Sequence, residues 1–156
     1  MREYRLSNYE NFFVLGVSHK KANAEIRGKF SLNHEQIKNL LADAKNYEID
    51  GLVMTSTCNR TEMYGFADDL RTMVNLLLNH TDADQELFNT YAYHYRNDEA
   101  VSHMFNVAGG LDSQILGDFE IISQMKKSFN LAKEMGTSNF FLERLFNSVI
   151  QASKRI

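Results

Sequence analysis

The sequence predicts an α+β chain. A ferredoxin-like β-α-β-β-α-β antiparallel sheet is expected over residues 12–96, followed by a C-terminal helical segment over residues 97–156. Three observations predict it. Short runs of β formers and helix-period apolar stripes share the chain up to Arg96. Those runs follow the order strand, helix, strand, strand, helix, strand. Beyond residue 97 only helical stripes remain, punctuated by Gly109-Gly110 and Gly136.

Residues 1–10 are polar and read as a loose arm. Phe12 to Ser18 is an apolar run rich in β formers and predicts the first strand. A polar, basic stretch then runs to Lys29. Asn33 with Gln36 three residues on forms a capping box. Ile37, Leu40, Leu41 and Ala44 follow at helical spacing, so residues 34–46 are read as a helix. Gly51 restarts the chain as a strand over 51–57, and residues 62–67 make a third. Asp68-Asp69 caps a helix with Leu70, Met73, Val74, Leu77 and Leu78 on its apolar stripe. A polar loop, 79–87, leads to a fourth strand, 90–96, in which Tyr91, Tyr93 and Tyr95 alternate with Ala92 and His94.

Both sheet helices are expected on one face. Asp98-Glu99 starts a further helix whose buried face is read as Val101, Met104, Phe105 and Ala108. Asp118 is read as the cap of a helix to about Met135, burying Ile122, Met125, Phe129 and Ala132. The last helix, from about Asn139, is expected to bury Phe141, Leu142, Leu145, Val149 and Ala152. Neither Gly nor Pro stops it, which predicts a longer natural protein.

The 156 residues suit one domain, and an apolar fraction of 44% supplies a core. A net charge of −3 is no general signal for polyanions. Its distribution matters more. Residues 31–100 hold most of the acid, so a nucleic-acid contact would use the N-terminal segment or the late helices. The single cysteine excludes an internal disulfide and fits a reducing compartment. No apolar run approaches a membrane span and no secretory leader is recognised, so a cytoplasmic location is expected.

That cysteine lies in Thr55-Ser56-Thr57-Cys58-Asn59-Arg60-Thr61-Glu62, between two apolar runs. Every other side chain in this stretch is a hydroxyl, an amide or a charge. A lone cysteine is usually a small buried hydrophobe. Against that, Cys58 sits at a strand end two positions from Arg60, where a guanidinium favours thiolate. The amides of a tight turn would also receive an oxyanion. Both readings stay open on composition and position.

A thiol nucleophile needs an acid or base nearby. The helix face above sends His103 to nearly the opposite side, so solvent exposure competes with a catalytic role. His19 competes for the same part. Ser113 and the helix start with Asp118, Glu120 and Gln124 would hold a polar substrate, or merely cap the helix. The basic run His19-Lys20-Lys21 with Arg27 and Lys29 is either a solvated loop or a contact for phosphates or a carboxylate. Histidine and cysteine spacing suggests no metal site. The glycine pattern is not a dinucleotide fingerprint.

Three ordered motifs resemble the glutamyl-tRNA reductase family. Gly16-Val17-Ser18-His19-Lys20 with Glu25-Ile26-Arg27 is similar to its N-terminal signature. Ser56-Thr57-Cys58-Asn59-Arg60-Thr61-Glu62-Met63-Tyr64 is similar to its active-site motif. Gly110-Leu111-Asp112-Ser113 through Leu116-Gly117 is similar to its glycine-leucine loop.

The resemblance implies that this chain is the catalytic domain of an oxidoreductase of tetrapyrrole synthesis. Cys58 would take the glutamyl group of glutamyl-tRNA as a thioester, which NADPH would reduce to glutamate-1-semialdehyde. It places His103 at the family's active-site histidine. It places Thr57, Asn59, Arg60, Ser113, Asp118, Phe119, Glu120 and Gln124 at substrate-contacting positions. NADPH-binding and dimerisation domains are expected outside this chain, so the fragment alone would not complete the reduction. A homodimer through the absent domain and glutamate-1-semialdehyde aminomutase as a partner are likewise implied. The chain departs from the pattern at Asp118-Phe119-Glu120, where the family usually has Glu-Pro-Gln, and at Ala22-Asn23-Ala24, where an Ala-Pro is usual. The alternatives are a thiol hydrolase or acyltransferase acting on another ester, and a non-catalytic RNA-binding module. The aromatic RNA-binding signature is absent.

Overall fold

A computed structural model describes residues 11–109 and 120–154. Four strands form one antiparallel sheet in the order β2-β3-β1-β4, the ferredoxin-like order. The strands are β1 (Asn11–Ser18), β2 (Leu52–Ser56), β3 (Arg60–Ala67) and β4 (Tyr93–Arg96). Four helices accompany them: α1 (Ala24–Phe30), α2 (His34–Asp43), α3 (Leu70–Asn79) and α4 (Gln85–Tyr91). Three more follow: α5 (Asp98–Ala108), α6 (Glu120–Glu134) and α7 (Phe140–Ser153).

Period-two alternation divides the sheet between two cores. Phe13, Leu15, Val17, Met54 and Met63 face one way and pack with the helices of the first part of the chain. Phe12, Val14, Val53, Tyr64 and Phe66 face the other way and pack with α5, α6 and α7. The result is helices on both faces of the sheet. Aromatic rings dominate the second core. Phe129 stacks on Phe146 at 5.4 Å, and Tyr64 meets Phe146 edge-on at 5.5 Å. Such pairs add about 0.5–1.5 kcal/mol each beyond burial.

Two short helices were not expected. Asn23 caps α1, accepting from the Ile26 amide at 2.9 Å, and Asp84 caps α4, accepting from the Leu87 amide at 2.8 Å. Each helix has seven residues, too few for a periodic stripe to stand out. Tyr91 therefore ends α4, and β4 starts only at Tyr93. The expected Asn33–Gln36 capping box is present. The expected helix to residue 46 instead tightens into a 3-10 turn over Ala44–Tyr47.

Asn97 sets the start of α5. Its φ of 54° is left-handed, which asparagine tolerates better than most residues. Its amide donates to the Phe12 carbonyl and its Oδ1 accepts from the Phe12 amide. This pins the helix to β1.

The buried face of α5 is Ala100, His103, Met104, Val107 and Ala108. That corrects the expected Val101–Met104–Phe105–Ala108 face: Phe105 is 37% exposed while His103 is 6% exposed. Hydrophobicity alone misjudged the rotation, because the sheet offers His103 a polar partner.

Gly136, at φ +74°, ends α6 in a Schellman turn, with the Thr137 amide donating to Ala132 and the Gly136 amide to Lys133. Thr137 then covers the open edge of β2, accepting from the Leu52 amide at 2.7 Å and donating through Oγ1 to its carbonyl at 2.9 Å. This fastens the end of α6 to the edge strand. The expected cap of α6, Asp118, lies outside the described residues.

Candidate active site

Residues 57–59 join β2 to β3, as expected, with Cys58 exposed on the turn. Thr57 shapes it. Its amide donates to the Arg60 carbonyl at 2.8 Å, and its Oγ1 accepts from the Asn59 and Arg60 amides at 3.2 and 3.3 Å. Three amides at the turn are therefore occupied. The Cys58 N–H has no acceptor among the described residues.

The turn is clamped from the first third of the chain. The His19 amide donates to the Asn59 carbonyl at 3.0 Å. Arg27 bridges α1 to the thiol turn, with Nε donating to the Cys58 carbonyl at 3.0 Å and a terminal nitrogen to the Ala22 carbonyl at 2.7 Å. Part of the basic run thus holds the turn in shape. Composition leaves Arg27 between a solvated loop and a contact for phosphates or a carboxylate.

Cys58 opens on a cavity of about 190 Å3 between the turn, α5 and the first turns of α6. Thr57, Asn59, Arg60, Glu120 and Gln124 line it together with Cys58. Of the expected site residues, these six come together. Thr55, Tyr64 and Val107, not expected, also line it. Ser113, Asp118 and Phe119 lie outside the described residues. Among the described residues, no cluster of His, Cys, Asp or Glu could hold a metal ion.

His103 is not among the cavity's lining residues. It faces a separate groove beside Lys20, Tyr95 and Ser102, with its ring stacked 4.6 Å from Tyr95. Its Nε2 meets Glu62 Oε2 at 2.5 Å. The expected thiol partner therefore touches a carboxylate behind the cavity wall.

Glu62 is the residue that sequence reasoning missed. It is fully buried and gathers four groups. Arg60 reaches its Oε2 at 3.4 Å, Tyr64 donates to Oε1 at 2.5 Å, and Tyr93 and His103 both bond Oε2. Burial pushes the Glu62 carboxyl upward. The His103 hydrogen bond and charge, the Arg60 charge and the Tyr64 hydroxyl outweigh that, holding it well below the usual carboxylate range. Burial and then the Glu62 charge push the Tyr64 and Tyr93 hydroxyls well above the usual phenol range.

Gly16 makes room for this hub. It pairs with Glu62 across β1 and β3, and a Cβ there would come 2.0 Å from the Thr61 carbonyl oxygen. The signal was available: period two puts Arg60, Glu62 and Tyr64 on one face, provided β3 begins at Arg60 rather than at residue 62.

A pH dependence follows from the direction of the Glu62 shift. A carboxyl held down in the folded state stabilises the fold above its unfolded pKa, about 4.5, and loses that contribution as pH falls toward about 2. Urea midpoints of the wild type and Glu62→Gln should therefore differ most above pH 5 and converge toward pH 2–3. Curves that stay parallel down to pH 2 would contradict the assignment.

Comparison with known proteins decides the family. Residues 15–156 match the family model described as "Glutamyl-tRNAGlu reductase, N-terminal domain". The chain belongs to this family. It is 54% identical over all 156 residues to the glutamyl-tRNA reductase of Christiangramia forsetii, covering 37% of that protein. It is 53% identical over its whole length to glutamyl-tRNA reductase 2 of Flavobacterium johnsoniae, covering 36% of it. Among solved structures, the glutamyl-tRNA reductase of Methanopyrus kandleri superposes with a TM-score of 0.75 at 30% identity, over 94% of this chain and 34% of the other. The chain thus spans little more than a third of the length of these family members.

Proposed function

We propose that this domain performs the acyl-capture half of glutamyl-tRNA reduction. The carrying observation is the cavity that brings the Cys58 thiol together with Arg60 and Gln124. Its volume lies below the roughly 300–1,000 Å3 of pockets for drug-sized ligands and suits one amino-acyl group.

In this reading the glutamyl carboxylate pairs with Arg60, whose planar fork matches it. Asn59 and Gln124 accept or donate to the remaining polar atoms. Neither side chain has a hydrogen-bond partner among the described residues. The Cys58 thiolate attacks the ester carbonyl carbon while the Cys58 N–H receives the developing oxyanion. The carbon–sulfur bond forms, the bond to the ribose oxygen breaks, and that oxygen takes the proton the thiol gave up. The products are a glutamyl thioester on Cys58 and uncharged tRNA. His103 acts through Glu62, as a positioning residue for Arg60.

The family reading also implies NADPH. The described residues do not fit it: the sheet is antiparallel, and no glycine-rich turn leads from a strand into a helix to take a pyrophosphate. The hydride step therefore belongs to the remaining two thirds of the longer family members. Homodimerisation and transfer of product to glutamate-1-semialdehyde aminomutase rest on the resemblance alone. So do the substrate contacts of Ser113, Asp118 and Phe119. No helix among the described residues is long and apolar enough to cross a membrane.

Incubation with glutamate-labelled glutamyl-tRNA should leave label on the Cys58 peptide, and uncharged tRNA should compete with it. Label elsewhere, or capture insensitive to uncharged tRNA, would instead indicate a thiol enzyme acting on other esters.

A further inference from the structure

A second, larger groove adjoins the thiol cavity and shares Thr55 and Gln124 with it. It measures about 750 Å3 and runs between α2 and α6 along the outer edge of β2. We infer that this groove holds the terminal nucleotide of the acyl-bearing RNA, which the thiol cavity is too small to admit. The inference rests on the acyl-capture reading above and names where the leaving group of that reaction lies.

The groove has the chemistry a nucleotide needs. Its apolar surface comes from the half-buried Ile37, Leu131 and Met135, which suits a flat base. Asn130 adds an amide with no partner among the described residues.

Positive charge lies at the end nearer the thiol. Lys127 is exposed and has no ion pair among the described residues. It follows the shared Gln124 by three residues, about 4.5 Å along the helix. Lys38 lines the same groove from α2, although it also lies 4.0 Å from Glu35. The acidic Glu134 lines the groove at the far end of α6. A ribose ester entering the cavity past Thr55 and Gln124 would thus set its phosphate beside Lys127 and its base between Ile37 and Leu131. An open strand edge would also accept an extended peptide, but an unpaired lysine next to the thiol cavity favours the nucleotide.

The test compares two glutamyl donors on the full chain: glutamyl-tRNA and glutamate ethyl ester, which has no nucleotide. Lys127→Ala and the double variant Lys38→Ala/Lys127→Ala leave the cavity lining intact. With glutamyl-tRNA, the expected loss in capture rate at subsaturating donor is about tenfold for the double variant. The slope of log rate against log salt should fall by about one per lysine removed. Capture from the ethyl ester should be unchanged. Equal loss with both donors would make these lysines structural, and no loss with either would leave the groove to a peptide or to solvent. Both results overturn the inference while leaving acyl capture standing. If the wild type captures from neither donor, acyl capture itself fails and the groove assignment falls with it.

Discussion

Replacing Cys58 by serine is expected to lower glutamyl capture by at least about a thousandfold while leaving stability nearly unchanged. Thiols reach a few per cent thiolate at neutral pH and are intrinsically strong nucleophiles. A hydroxyl needs an adjacent general base. No histidine or carboxylate is hydrogen-bonded to Cys58 among the described residues, and His103 is engaged by Glu62 behind the cavity wall. Serine would therefore lack a base. Cys58 is exposed on its turn and its side chain supports no hydrogen bond among the described residues, so the unfolding free energy should change by less than about 0.5 kcal/mol. The measurement is label at position 58 alongside an unfolding curve. Capture at the wild-type rate would show that the thiol is not the nucleophile.

Glu62→Ala is expected to have the largest effect on stability. Removing the carboxylate leaves Arg60, 4% exposed, and His103, 6% exposed, without their shared anion, and strands two tyrosine hydroxyls. Breaking one side of a buried ion pair costs about 3–5 kcal/mol. In a domain of this size that lowers Tm by about 6–20 °C. Glu62→Gln should lose less, because an amide still accepts from the tyrosines. Adding Arg60→Met and His103→Leu to Glu62→Ala should restore part of the stability, since a buried ion cluster often tolerates apolar replacement. A loss below 1 kcal/mol in Glu62→Ala would mean that the four contacts do not act as a unit. Capture should also fall in Glu62→Ala, since Arg60 would lose the group that aims it.

Several site residues could be read along the chain and several could not. Thr57, Cys58, Asn59 and Arg60 are contiguous, so their meeting at one turn needed only the two strands beside it. Glu120 and Gln124 are one helical turn apart, so they share a face wherever α6 lies. Arg27 was ambiguous because its partner, the Cys58 carbonyl, is 31 positions away and is a backbone atom. Glu62 appeared as one more polar residue in a polar stretch. Its importance depends on a strand starting at Arg60, on β4 bringing Tyr93 alongside, and on the rotation of α5.

By itself the sequence determined the order of the main strands and longer helices, the place of the thiol turn between β2 and β3, and the family. Those rest on local periodicity, caps and contiguous motifs, which survive without knowledge of packing. Only the tertiary structure decided that His103 turns inward, that it meets Glu62 rather than the thiol cavity, and that a larger groove adjoins the cavity along the β2 edge. The reason is physical. A helix stripe shows which residues share a face, but the face that is buried depends on what the sheet presents to it. Here the sheet presents a buried carboxylate, and a histidine 41 positions away is its partner.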